Sequence, residues 1–292
     1  MFFDEEMLLD LRLNTMNEYV DKFVITEATY MHNGKPKKLN FDINKFSKFK
    51  DKIIYIVVDK EPGDLFKIYE SDKNKKDTRG QKLVLNGYKR DNYQRQMAHE
   101  ALKNIDPDDW IIINDIDEIP NLKKINFKEQ KNKFVIFKQK IFYYKFNLLY
   151  SNVFWFGSKA CKKKYFISPQ WLRNVKHKKY PIWRLDTVFS KKKYRDIKYV
   201  NDGGWHFTNI KSPEDIQKKL LNYTHHYEYE QSGMTIEDLK RKILERKIIY
   251  DHSVDQRKFK WGSDKILTKI NMSDLPDYIK QNPKKYFNWL EN

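Results

Sequence analysis

Asp115, Asp117 and Glu118 stand in "DDWIIINDIDEIPN" (108–121), where four strand-forming residues, Trp110 to Ile113, run straight into three carboxylates and are stopped by Pro120. In an extended chain, alternate positions point the same way, so Asp115 and Asp117 are expected to aim at one point. Two hard oxygen donors at a strand end suit Mg²⁺ or Mn²⁺, ions that keep open positions for water and phosphate oxygens. The chemistry this implies is a clamp on a metal-diphosphate. The other reading of the same residues is a surface turn, in which Asp is common and no ion is needed.

A second rival is a haloacid-dehalogenase-like phosphatase, in which the first Asp after an apolar strand is a phosphoryl nucleophile and the second an acid/base. That pattern, D-x-D-x-[TV], meets Ile119 at its fifth place here, more than a hundred residues into the chain. Removing one charge by Asp117→Asn is expected to leave the fold near native stability, or to relieve repulsion between close carboxylates, while transfer chemistry falls.

The elements that must position these residues follow from periodicity. Met7, Leu8, Leu11 and Thr15 recur at helical spacing after Asp4, predicting a helix to about Met16. "YVDKFVITEAT" (19–29) reads as a strand ending in Glu27, and "KIIYIVVD" (52–59) as a second ending in Asp59. Residues 62–88 are polar and read as loop. A helix over 90–105, with Tyr93, Met97, Ala101 and Ile105 on one face, carries Gln94 and Arg95 into the acidic stretch. Continuous apolar strands between helices predict an α/β sheet covered on both faces, with ligands gathering beyond the strand ends, where Glu27, Asp59 and Asp115 fall. The second half is strand-rich and aromatic over 133–157. It then passes through "GGWHFTN" (203–209) to a helix entered at Ser212-Pro213 and another over 235–250. Phosphate-binding glycine motifs, zinc-spaced cysteine pairs and internal repeats are absent from the sequence.

With 292 residues, of which 40% are hydrophobic, the chain can bury a substantial core. Its single cysteine, Cys161, excludes an intrachain disulfide, so nothing requires an oxidising compartment. The opening "MFFDEEMLLD" lacks a basic-then-apolar leader, and no window approaches the roughly 20 apolar residues of a membrane span. A soluble, cytoplasmic chain without a transmembrane segment is expected. The net charge of +18 raises the question of nucleic acid. Only ten of the 58 basic residues are arginine, the side chain suited to base edges and bidentate phosphate contacts, so no specific nucleic-acid partner is expected. Lysine runs at 71–77, 159–166 and 175–180, together with many Asn and Ile residues, read as compositional bias, with which a basic surface that attracts an anionic small substrate is compatible. A non-enzymatic basic polyanion-binding protein is the alternative function.

"FFDEEMLLDLRLN", "VDKFVITEAT" with "GKPKKLNF", "YQRQMAHEAL" running into "DDWIIINDIDEIP", and "GGWHFTN" with a following "KKL" together resemble glycosyltransferase family 17, over residues 1 to about 230. That family includes the β-1,4-N-acetylglucosaminyltransferases that add the bisecting sugar to N-glycans. The resemblance implies a GT-A-like nucleotide-sugar-binding fold, a mixed central sheet flanked by helices. It implies a catalytic domain over 1–230, with a donor half to about 121 and an acceptor half from 122, and a C-terminal helical extension over 231–292. The implied reaction is inverting transfer of a sugar, commonly N-acetylglucosamine, from a UDP-sugar to a glycan or glycoconjugate hydroxyl. Within that scheme His206 joins Asp115 and Asp117 around Mn²⁺ or Mg²⁺, and Glu27 meets the uridine. Gln94, Arg95, Glu118 and Trp205 face the donor. Asp202 and Glu228 are the candidates for the base that takes the acceptor's proton from the face opposite UDP. For Arg95 a structural ion pair, and for Trp205 a place in the core, stand as the other readings. The animal enzymes carry a membrane anchor and lumenal cysteines, which this sequence does not show.

Overall fold

In the computed structural model, which describes residues 1–74, 76–253 and 260–291, the first helix, α1 (Glu6–Met16), is buried nearly all round: Leu8, Leu9, Leu11, Leu13 and Met16 all pack inside. Strands β1 (Phe23–Ala28) and β2 (Ile53–Val58) pair in parallel, Phe23 opposite Ile53 through Ala28 opposite Val58. Helix α2 (Lys76–Gln96) starts well inside the stretch that reads as loop. Two glycines disguise it. A Cβ at Gly80 would lie 2.2 Å from the Tyr227 ring and one at Gly87 3.0 Å from the Thr224 carbonyl oxygen, so close packing offsets the propensity cost of glycine. Beyond Gln96 the chain continues as a 3₁₀ helix to Leu102 rather than as the regular helix expected there.

Strands β3 (Trp110–Ile113), β5 (Phe134–Phe137), β8 (Lys159–Lys162) and β9 (Ile197–Val200) form a sheet of order β3-β8-β5-β9. Strands β4 (Glu118–Pro120), β6 (Gln139–Tyr143), β7 (Leu148–Trp155), β10 (Gly204–Thr208) and β11 (Thr268–Lys269) form a second, of order β11-β7-β6-β10-β4. Both are mixed: β5–β9 and β6–β10 are parallel, their other pairings antiparallel. The single central sheet of the sequence reading is therefore broken along a line, crossed by β5 into β6 at Lys138, by β7 into β8, and by β9 into β10. The acidic stretch crosses the same line, but it leaves beside β8 and rejoins beside β10. This α/β arrangement with mixed sheets is Rossmann-like and of the general GT-A type.

Helices α3 (Pro169–Asn174), α4 (Pro213–Asn222), α5 (His226–Ser232), α6 (Ile236–Leu244) and α7 (Asp277–Gln281) complete the described elements. Ser212 caps α4 by accepting from the Asp215 amide, as its place before Pro213 predicts. The middle strands are apolar on both faces because both are covered. Phe142 and Phe207 join a core with α1, α7 and Tyr286, whereas Ile141 and Tyr143 pack on the other side with Ile216 and Leu220 of α4 and Leu239 of α6. The region after 230 is more than a helical extension: β11 pairs with β7, and Tyr286 packs edge-on against Phe146.

Gly204 opens β10 at φ +120°, where a Cβ would come within 2.1 Å of the Ile119 carbonyl oxygen of β4. Gly204→Ala is expected to cost about 2 kcal/mol or more in urea unfolding. Gly63→Ala, with open space around it, should stay within about 0.5 kcal/mol of the parent.

Candidate active site

Where the chain crosses between the sheets it makes a turn, closed by the Glu118 amide donating to the Asp115 carbonyl at 3.1 Å. The extended geometry expected for Asp115 and Asp117 is thus absent, and the two carboxylates face different partners. Asp115 receives Arg95 Nη2 at 3.1 Å on Oδ1 and Arg173 Nη2 at 2.6 Å on Oδ2. Asp117 sits with Oδ1 3.7 Å from His206 Nε2 and Oδ2 3.8 Å from Lys219 Nζ. Glu118 is fully buried. It accepts from Arg173 Nη1 at 2.7 Å and Nη2 at 2.6 Å, from Trp155 Nε1 at 2.5 Å, and from the Asp115 amide at 3.1 Å.

Arginine holds this turn from beneath as well. Arg12 of α1 donates to the carbonyls of Asp115 at 3.1 Å and Glu118 at 2.7 Å, and its other nitrogen to Asn114 Oδ1. Burial brings the Arg12 guanidinium down to about 10 despite the neighbouring carboxylates. Burial would raise the carboxyls of Asp115 and Asp117, yet the cations win: Arg173 and Arg95 hold Asp115 far below its ordinary range, and His206 and Lys219 hold Asp117 at about 2. Arg173 itself is fixed from behind by Lys159 of β8, which donates to the carbonyls of Arg173 at 2.5 Å and Val175 at 2.6 Å. Burial, with Arg173 adding repulsion, lowers Lys159 to about 7.

A cavity of about 1930 Å³ opens above the turn and is lined from both halves of the chain. Gln94, Arg95, Asp115, Asp117 and Glu118 line it on one side, with His206, Lys219 and Arg173 beside them. Tyr143, Trp155, Tyr223, Tyr250 and Trp261 make an aromatic wall from the second half, and Glu228 stands in the same cavity 3.1 Å from His225 Nδ1. His225 lowers the Glu228 carboxyl below its ordinary value.

Three expected residues are elsewhere. Trp205 and Asp202 line a second cavity of about 580 Å³. Successive strand residues point to opposite faces, so His206 turns into the large cavity while Trp205 turns away and donates to the Asp274 carbonyl at 2.7 Å. Asp202 lies in the β9–β10 turn at φ +47°. Glu27 is buried beneath the cavity wall, ion-paired with Lys37 and accepting from the amides of Asn40 at 2.7 Å and Phe41 at 3.0 Å and from the Tyr55 hydroxyl at 2.9 Å. It holds the 37–41 loop, and Lys37 rather than Glu27 lines the cavity.

Sequence reasoning missed Arg12, Arg173, Lys219 and His252. Arginine scarcity was a signal, since three of the chain's ten arginines converge on this turn. His252 lines the cavity with a buried Nε2 that has no hydrogen-bond partner among the described residues; burial and then His206 hold its pKa down to about 3.

The donor set fits a divalent ion in part. Asp117 and His206 converge on the cavity as a hard oxygen and an imidazole nitrogen, and the other His206 nitrogen, Nδ1, is buried with no hydrogen-bond partner among the described residues. Asp115, expected as a ligand, has both oxygens committed to arginines. Among the described residues no group of three or more His, Cys, Asp or Glu side chains is arranged to hold a metal ion.

The site is thus an acid-floored, arginine-braced cavity on a Rossmann-like scaffold, and comparison with known proteins supplies the family. The model of glycosyltransferase family 17 matches residues 1–291, and the chain belongs to that family. It is similar to the human β-1,4-mannosyl-glycoprotein 4-β-N-acetylglucosaminyltransferase, 30% identical over 121 residues that cover 39% of this chain and 19% of the human one. The rat enzyme of the same name matches at 30% and the mouse enzyme at 29% over the same length. The match thus spans about a fifth of these relatives. No solved structure matches the chain. Among the described residues no helix is long and apolar enough to cross a membrane.

Arg173→Ala strips Glu118 of its only ion-pair partner among the described residues and Asp115 of one of two, and should cost about 3–5 kcal/mol in chemical unfolding. Asp117 supplies a pH signature. Its folded pKa lies below the unfolded value, so its contribution is present above about pH 4 and is lost as pH falls through about 2. Asp117→Asn is therefore expected to be less stable than the parent by about 2 kcal/mol at neutral pH, with the gap closing toward pH 2. That reverses the near-native stability expected from the sequence, because His206 and Lys219 outweigh Asp115 around Asp117. Unfolding free energies of the two proteins across this range check it.

Proposed function

We propose that the chain transfers a sugar, N-acetylglucosamine in the first instance, from a UDP-sugar to a hydroxyl of a glycan or glycoconjugate, by an inverting, metal-dependent reaction on a GT-A-like scaffold. The observation that carries this is the pairing of Asp117 with His206 beside two cavity-lining arginines, in a space fed from both halves of the chain. The similarity to mammalian N-acetylglucosaminyltransferases supports the choice of sugar.

Asp117 and His206 would hold Mn²⁺ or Mg²⁺, and such an ion would supply Lewis-acid stabilisation of the leaving diphosphate. Asp115 acts through its partners: it orients Arg95 and Arg173, whose guanidinium groups meet phosphate oxygens as charge develops there. Glu118 fixes Arg173 and the Trp155 ring on which His206 stacks, with ring centroids 4.6 Å apart. Gln94 is anchored by its own bond to the Thr26 carbonyl at 3.0 Å and presents its remaining polar atoms to the donor. Acceptor sugars lie against the aromatic wall, where ring faces match the apolar faces of pyranoses. Glu228 takes the proton of the attacking hydroxyl while that oxygen bonds to the anomeric carbon and the carbon–oxygen bond to the diphosphate breaks on the opposite face, UDP leaving with the electron pair.

Thermal unfolding with UDP tests this reading. UDP should raise the midpoint by several degrees with Mn²⁺ present and leave it unmoved in EDTA, with Asp117→Asn and His206→Ala each losing the Mn²⁺-dependent part. Transfer from UDP-N-acetylglucosamine should fall about 10²-fold or more in Asp117→Asn. An equal UDP shift in EDTA would sink the metal-dependent reading.

A further inference from the structure

Between α3 and β9 the chain runs through residues 175–196, a segment whose outer part the reaction does not use. There five large apolar side chains point into solvent: Ile182 is 79% exposed, Trp183 76%, Leu185 72%, Val188 67% and Phe189 88%. Single exposed apolar residues are ordinary, but several together on one tip are not. The tip is also held in shape. Residues Leu185–Thr187 form a 3₁₀ turn, and the Thr187 hydroxyl donates to the Arg184 carbonyl at 2.7 Å and accepts from Arg195 Nε at 2.9 Å. The base of the loop is pinned by Trp171 Nε1 on the Lys191 carbonyl at 2.5 Å and by the Lys176 amide on the Lys192 carbonyl at 2.8 Å.

Charge identifies what covers the tip. Residues 175–198 contain nine Lys and Arg against two Asp. Asp186 is already paired with Arg184 at 2.7 Å and Lys193 at 2.6 Å, and Asp196 accepts from Asn132 Nδ2 at 2.7 Å. The result is an apolar tip collared by cations. The core of a protein–protein interface is depleted of lysine, whereas a bilayer with anionic headgroups takes both parts, rings at the acyl boundary and lysines at the phosphates. At its root the same segment lines the large cavity through His177 and Lys178.

We infer that residues 181–189 seat in the surface of an anionic membrane and so hold the cavity beside the bilayer. The substrate class that follows is a membrane-borne acceptor, a clause that rests on the glycosyl-transfer reading, whereas the seating itself does not.

The test is flotation of the full chain with vesicles of one part phosphatidylglycerol to about three of phosphatidylcholine, against phosphatidylcholine alone, at about 0.1 M salt. The parent should float with the anionic vesicles and scarcely with the neutral ones. The double variant Trp183→Ser, Phe189→Ser should bind anionic vesicles about tenfold or more weakly, with its thermal midpoint and UDP response unchanged, because both side chains leave no void. Failure of the parent to float, or equal flotation of the double variant, overturns the inference. So does a dimer in sedimentation velocity that the double variant abolishes while vesicle binding is absent, since the tip would then be covered by a second copy. The readout uses no donor or acceptor, so vesicle binding alongside a failed UDP and Mn²⁺ response keeps the seating and removes only the acceptor clause.

Discussion

Three carboxylates at the end of a buried strand would repel one another and pay a desolvation cost of several kcal/mol each, and the site exists because Arg173 spans two of them. Its guanidinium bonds to Asp115 and Glu118 together while Lys159 fastens the backbone that carries it. Arg95 takes the other oxygen of Asp115, and Arg12 takes the carbonyls of the turn. With that lattice in place Glu118 is fully satisfied, and Asp117 is left at the cavity beside a histidine and a lysine. Removal of the arginine lattice would leave buried charge without compensation, so the geometry of Asp117 depends on residues that need never touch a substrate.

The position of the turn follows from the sheets. Three of the crossings between the two mixed sheets keep the same order of neighbours, but the strand that enters the acidic stretch leaves beside β8 and returns beside β10. A chain that changes neighbours in this way cannot keep its ladder bonds through the crossing, and side chains supply the missing partners. Polar residues gather there for that structural reason, and the resulting gap in the ladder is also where a ligand finds unpaired polar groups.

Much of this was legible beforehand. The apolar run into Asp115 and the Ser212 cap were readable because their periodicity and turn chemistry are local. The parts that were not legible depend on tertiary context. Two glycines hid α2, because what they accommodate is Tyr227 and Thr224, more than a hundred residues away. Trp205 and His206 could not be sorted between faces without knowing which side of β10 the cavity occupies. Glu27 looked available because its partners, Lys37 and the amides of the 37–41 loop, come from a segment without a regular pattern. His252 had no motif around it and is identified only by where the cavity runs.

The reach of Arg12 has a consequence for how the molecule is made. Its bonds to the acidic turn close loops of 103 and 106 residues, and Arg173 reaches back 55 and 58 residues to the same turn. Contacts so distant in sequence form late, after the entropy of closing long loops has been overcome. A growing chain therefore holds the acidic turn incomplete until α3 has emerged, and its Asp117 partners arrive only with β10 and α4. The carboxylates spend that interval in water, where their charge costs little, and are buried only when every compensating cation is already at hand.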